Sequence, residues 1–553
     1  MTISERNDFM NTKMNSMRKL AAVMAVVSSV TSLTACGAAS TDEADSYTRG
    51  QNNVQYNSTE AAAGECAPAD YDEAPADNAD FEQNDEEYNY ISENGYTAVS
   101  SAPLSTFSAD VDTASYTNVR RMIDDGMDVP PDAVRIEEFI NYFDYDYTDP
   151  ADGEPFAVHT ELSDCPWNDE TELLMVGINT KGFDAVLDER PAMNLVFLID
   201  VSGSMYDDNK LPLVQKSFSM LTDNLTAADR VSIVTYAGSD EVVLEGADGN
   251  DRKKILRAIN DLEAGGSTAG AAGINTAYDI AQKYFIDGGN NRVILATDGD
   301  LNVGLSSESE LTRLIEEKRE SGVFLSVLGF GTGNYKDNRL EALADYGNGN
   351  YSYIDSEKEA KKVLVDEMSG TLFTVAKDVK FQLEFNPANV KGYRLIGYEN
   401  RVMAAEDFND DTKDAGEIGA GHSVTVLYEI VPADSKMELG ESELKYASDS
   451  EGVMGDELLT VNIRYKEPEG SESKLLTYPV NKSLYSDKMS ADMNFASCVA
   501  EFGMLLRNSR YIGDVTYKDV SAQLSKYDYS DDDYKDEFIY LVNTMKRRDT
   551  NFQ

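Results

Sequence analysis

Histidine is almost missing from this chain, with two in 553 residues. That argues against histidine-ligated metals and against catalytic triads built on an imidazole. Cysteine is scarce as well. The four, Cys36, Cys66, Cys165 and Cys498, form no CxxC pair and no disulfide-framework spacing. Positive charge is in short supply: 48 Lys plus Arg face 100 Asp plus Glu, a formal net charge of −52. Such a chain lacks the basic surface that neutralises phosphates, which excludes nucleic acid as a partner. It is not drawn by charge to an anionic membrane either, whereas cations and basic partners are attracted. The apolar stretch Leu20–Leu33 is too short for a membrane-spanning helix of about 20 residues. Core material, by contrast, is plentiful, at 41% hydrophobic and 9% aromatic. Since one core rarely grows past about 250–300 residues, the length implies several domains.

The N-terminus reads as an address. A basic start, Met17-Arg18-Lys19, precedes the short apolar stretch, which ends in Leu33-Thr34-Ala35-Cys36. Glu5 and Asp8 fit such a start poorly, which favours Met14 or Met17 as the first residue. This ending resembles the lipobox of bacterial lipoproteins. The resemblance implies removal of residues 1–35, a lipid on Cys36, and a membrane-anchored chain on the extracytoplasmic face. Residues 41–98 carry 15 Asp plus Glu and one basic residue, Arg49. Low apolarity and high charge predict a disordered acidic tether over 37–98, with Cys66 a bystander.

From residue 99 the pattern is globular. Spacing predicts helices over 117–126 and 132–143, then strands over 156–162 and 173–179. Between 191 and 375 apolar strand runs alternate with helical segments: strands over 194–201, 231–236, 292–297, 324–329 and 349–354, and helices near 208–224, 252–263, 270–286, 308–321, 338–345 and 356–373. That alternation predicts a doubly wound, mostly parallel α/β sheet covered on both faces. Over 376–480 the period becomes two, as in Val379, Phe381, Leu383 and Phe385, which predicts an antiparallel β-sandwich. Because β-type segments flank the α/β block on both sides, the α/β domain is expected to be inserted in, or flanked by, that sandwich. Residues 481–553 are expected to be helical.

The chemistry concentrates at strand ends. Leu195–Ile199 runs into Asp200-Val201-Ser202-Gly203-Ser204, where alternate residues can aim three oxygens at one point. Gly266-Ser267-Thr268-Ala269-Gly270 is a flexible loop opening a helix, and Val293–Thr297 ends in Asp298-Gly299. The carboxyl ends of parallel strands are where an open α/β sheet places its ligand. Two carboxylates and three hydroxyls form a hard, oxygen-only set suited to Mg²⁺ first, or to Mn²⁺ or Ca²⁺, rather than to zinc or copper. Neutral hydroxyls leave the ion cationic, ready for an anionic ligand from outside.

D-x-S-x-S, a glycine-flanked Thr and T-D-G together resemble the metal-ion-dependent adhesion site of von Willebrand factor type A (VWA) domains. The resemblance implies direct metal ligation by Ser202, Ser204 and Thr268, with Asp200 and Asp298 binding directly or through water. The flanks, Phe107–Arg121, Val134–Tyr147, Gly421–Ile430 and the terminal helices, resemble a family of bacterial lipoproteins in which a type A domain sits between its own N- and C-terminal domains.

Other motifs fail. The run Asp298–Ser309 imitates an EF-hand, but its glycine and its final residue are misplaced. His159, on a strand, and His422, at the head of another, are expected to be sheet-surface residues that serve no nucleophile, and no phosphate-binding loop is present. Cys165 and Cys498 are open to pairing or to life as buried thiols. The expected function is therefore binding rather than catalysis: metal-dependent capture of a protein that supplies an acidic residue. The alternatives are an assembly factor of an envelope complex and a metal-dependent hydrolase.

Overall fold

A computed structural model describes residues 86–181, 190–266, 270–299, 308–333, 335–439, 455–468 and 470–552. The signal, Cys36 and most of the acidic tether lie outside the described residues.

Along the chain come β1 (Thr97–Ala98), β2 (Leu104–Ser108), α1 (Ala114–Asp124), α2 (Ile136–Asn141), β3 (Phe156–Asp164) and β4 (Glu172–Thr180). The α/β block follows with β5 (Met193–Asp200), α3 (Leu211–Thr222), β6 (Arg230–Tyr236), β7 (Asp240–Asp248), α4 (Arg252–Asn260), α5 (Gly270–Lys283), β8 (Asn290–Thr297), α6 (Glu308–Arg319), β9 (Phe324–Phe330), α7 (Asp337–Tyr346) and β10 (Tyr351–Ile354). The helix expected over 356–373 is broken into Glu357–Lys361 (α8), a π-helical turn and Met368–Leu372 (α9). Strands β11 (Thr374–Phe385), β12 (Val390–Ile396), β13 (Gly416–Gly419), β14 (Ser423–Pro432), β15 (Glu457–Lys466) and β16 (Ser473–Asn481) precede helices α10 (Ala491–Arg507), α11 (Tyr517–Leu524) and α12 (Asp533–Phe552).

The central sheet runs β10-β9-β8-β5-β6-β7 and is parallel except for β7. Its strands are buried on both faces, as their unbroken apolar runs require. Phe197 and Ile199 of β5 point into one core, and Val196 and Leu198 into the other. Strand β7 was not visible in the sequence: it is a charged edge strand, Asp-Glu-Val-Val-Leu-Glu-Gly-Ala-Asp, with little of its length buried.

Two antiparallel sheets make the sandwich. One runs β1-β12-β14-β4-β3, and the other is built on β13-β11-β15-β16 with β2 paired to β11. Strands from before and after the α/β block therefore share both sheets. Strand β4 is covered on both sides. Leu174, Val176 and Ile178 enter the sandwich core, while Leu173 and Met175 face the core shared with α1, α2 and the terminal helices. Thr180 donates its hydroxyl to the Gly419 carbonyl (2.7 Å), and Thr374 pairs with that same glycine. The chain thus leaves the sandwich and re-enters it at one place.

One expectation needs correction. Residues 86–98, read as the end of the tether, belong to the folded body. Glu86 pairs with Arg121 (3.0 Å), and β1 joins the first sandwich sheet. The partners that neutralise these acids lie elsewhere in the sequence, so local composition concealed the boundary. Cys165 and Cys498 are both buried free thiols. Trp167 anchors the helical core and donates its indole N–H to Glu429 Oε1 (2.7 Å).

Candidate metal centre

Strand β5 continues to β6 on one side and pairs with β8 on the other, so the chain switches direction across the sheet at β5. At such a switch point the loops after adjacent strands part and leave a crevice. Asp200 is the last residue of β5, and Asp298 follows the last residue of the adjacent β8. Both carboxylates are buried, as is Ser202, whereas Ser204 is exposed. The site therefore opens to solvent on its serine side.

Local hydrogen bonds shape the turn. The Ser202 N–H donates to Asp200 Oδ1 (2.9 Å), and the Thr297 hydroxyl donates to Asp200 Oδ2 (3.1 Å). The Ser202 and Ser204 hydroxyls are 2.9 Å apart. Three of the oxygen-bearing residues expected from the sequence are thus gathered in one turn. Two backbone bonds tie the glycine loop to this turn: Gly203 N–H to the Gly266 carbonyl (3.1 Å) and Gly265 N–H to the Val201 carbonyl (2.7 Å). Thr268, two residues further on, lies outside the described residues, as does the run 300–307 of the EF-hand look-alike. Gly299 has φ +94°, and a Cβ there would come within 2.6 Å of the Lys336 backbone nitrogen, so the glycine of T-D-G is required by backbone and space alike.

Burial pushes the Asp200 carboxyl up to about 6, against the hydrogen bonds from Ser202 that hold it down; nearby Asp298 adds to the rise. Two acids close together in a low-dielectric crevice favour a cation between them. Lys210, just before α3, supplies one. It is buried, and its ammonium donates to Asp298 Oδ2 (3.0 Å). Sequence reasoning missed this residue because a single lysine ahead of a helix carries no pattern. It missed Thr297 too, whose hydroxyl turns inward at the end of β8. Among the described residues, no group of three or more His, Cys, Asp and Glu is placed to hold a metal. A divalent ion here would depend on the serine and threonine hydroxyls. The donors fit Mg²⁺ in kind: hard oxygens, two of them acidic, with an open side. His159 and His422 are far from this role in the fold. The first is on β3, stacked on Tyr147, and the second heads β14, where burial pulls its imidazole down to about 4.

The switch-point sheet and its D-x-S-x-S and T-D-G ends define a VWA-domain protein, and the family profile described as "von Willebrand factor type A domain" matches residues 194–366. A second profile, "von Willebrand factor", matches 82–175, and a third, "Uncharacterized protein YfbK, C-terminal", matches 370–547. The chain is 45% identical over 467 residues to "Uncharacterized protein YfbK" of Escherichia coli K12, covering 82% of this chain and 80% of that one. It belongs to the YfbK family. It is also 27% identical over 300 residues to "Uncharacterized protein sll0103" of Synechocystis, covering 53% of this chain and 66% of the relative. Among solved structures, "von Willebrand factor type A from Catenulispora acidiphila" aligns over 65% of this chain and 82% of its own, at 17% identity and a TM-score of 0.38.

Proposed function

We propose that this YfbK-family protein is an envelope lipoprotein that binds a protein partner through a divalent cation at the carboxyl end of β5. Asp200, Ser202, Ser204, Thr268 and Asp298 hold the ion, Mg²⁺ in the first instance, and a carboxylate of the partner completes its shell. The observation that carries this reading is the convergence of Asp200, Ser202 and Ser204 in one hydrogen-bonded turn beside Asp298 at the end of the neighbouring strand. Tyr206 supports it: one turn beyond the serines, its ring is 80% exposed, and aromatic side chains of this kind anchor protein interfaces. The activity is binding rather than bond-making. Among the described residues no histidine accompanies the hydroxyls, His159 lying on β3 and His422 just before β14.

The experiment is partner capture with and without chelator. Chelation and Asp298→Ala should each weaken capture at least tenfold, and Tyr206→Ala should weaken it while leaving Mg²⁺ binding unchanged. Equal capture by wild type and Asp298→Ala would defeat the proposal. The Lys210–Asp298 pair favours a second reading, an assembly factor docked through other surfaces, in which the internal ammonium already steadies the loop. Mg²⁺ raising Tm without affecting partner capture would select it. Phosphate or peptide turnover lost in Asp200→Ala would instead select a hydrolase.

A further inference from the structure

A cavity of about 560 Å³ lies between the sandwich and one side of α7, to which that helix contributes Asn338, Glu341, Ala342 and Asp345 at helical spacing. This volume is in the range of small-molecule sites. It shares no residue with the crevice at the end of β5.

Its walls are short of positive charge. Arg401 alone is shared among Asp110 (2.9 Å), Asp112 (3.4 Å), Glu341 (3.7 Å) and Asp345 (2.7 Å). Arg135 is shared among Glu138, Asp337 (2.5 Å) and Glu341 again (3.6 Å). Six carboxylates, of which Asp110, Asp112, Glu341 and Asp345 line the cavity, thus divide two guanidinium groups, which leaves four negative charges if all ionise. Glu137 lines the same space. It is 1% exposed, and neither of its carboxylate oxygens makes a hydrogen bond of good geometry, the Tyr398 N–H and the Arg507 guanidinium being the groups nearby that favour its charge. A buried carboxylate without a partner costs several kcal/mol unless a cation or a proton arrives. Burial does raise the Glu137 carboxyl, to about 7, so it is ready to release its proton to an arriving base or to face a cation. Tyr90, which lines the cavity and is 83% exposed, puts an aromatic face at its rim, a surface that attracts organic cations. A bare metal ion suits the space less well. The cavity is many times the volume of an ion, and among the described residues no acidic group has metal-holding geometry.

We propose that this cavity binds a small organic cation, an amine or guanidinium compound, with Glu137 as the carboxylate that receives it. The ammonium or guanidinium head pairs with Glu137 and Glu341, and the remainder lies along the α7 face beside Ala342.

The test is calorimetric titration of the full chain with spermidine at pH 8, with MgCl₂ titrated separately. Saturable binding near one per chain is expected. Glu137→Gln should weaken it at least tenfold while raising the Tm of the free protein, since a stranded buried charge is removed. Ala342→Phe, which fills the space without touching a charged group, should also abolish binding, and it keeps the proposal testable if Glu137→Gln does not fold. Asp298→Ala should bind spermidine as wild type does, which separates this site from the metal centre. No saturable binding, or equal affinity in wild type and Ala342→Phe, would overturn the proposal. So would Mg²⁺ displacing spermidine competitively at lower concentration than the amine itself requires.

Discussion

At the scale of single residues, buried acids set much of this protein's response to pH. Glu501 lies on the inner side of α10, buried, with Oε2 unpaired. Burial pushes its carboxyl, ordinarily near 4.5, up to about 8. A carboxyl raised on folding stabilises the fold where the folded state keeps the proton. That contribution is complete below about 4.5 and lost as pH rises through 8. Stability should therefore decline from pH 5 to pH 9. Glu501→Gln should flatten that decline and leave Tm at pH 5 nearly unchanged. At pH 9 it should raise Tm by about 1 °C for each kcal/mol recovered in a folded body of this size, measurable by thermal melts across the pH series. Asp229 works in the opposite sense, held low by Arg190 and by the Met193 and Thr226 N–H groups, so its contribution fades only at acid pH.

At the scale of elements, Arg120 decides how helices meet the α/β block. Its guanidinium on α1 reaches Asp355 after β10 (2.7 Å), Glu359 on α8 (2.8 Å) and Glu537 on α12 (2.9 Å). Neighbouring Thr117 donates to the Tyr353 carbonyl (2.8 Å), so α1 also lies along the edge of β10 and shields it. Removing the arginine would strand Glu359 in the interior. Arg120→Ala should cost about 3–5 kcal/mol, seen as a lower denaturation midpoint. Lys216→Ala, which breaks an exposed pair with Glu357, should change the midpoint by less than about 1 kcal/mol. None of this was legible in the sequence. The spacing placed α1 and α12 as amphipathic helices, but charge partners some 235 and 417 residues away leave no local pattern.

At the scale of the whole molecule, the α/β block is an insertion in a sandwich whose two sheets are each assembled from both ends of the chain. Strand β14 pairs with β4 and β11 with β2, so a fragment beginning at residue 376 has lost partners for two central strands. Residues 376–553 alone should be insoluble, because those strands present unpaired edges. Residues 86–181 joined to 374–553 by a short glycine linker should be soluble and show a cooperative melt. The adjacency of Thr180 and Thr374 at Gly419 makes the closure short. Size exclusion and near-UV circular dichroism distinguish the outcomes.

Period and punctuation determined most of the local story. Unbroken apolar runs declared the parallel strands, alternation declared the sandwich strands, and D-x-S-x-S with T-D-G marked the strand ends that carry the candidate metal centre, because a residue's burial pattern follows from the element it occupies. Only the tertiary structure decided what comes together across sequence distance. It gathered the strands on both sides of the insertion into shared sheets, set Lys210 against Asp298, drew residues 86–98 out of the acidic tether, and grouped six carboxylates around two arginines. Charge pairing and burial depend on position in space, and a sequence of isolated residue types does not record who the neighbours are.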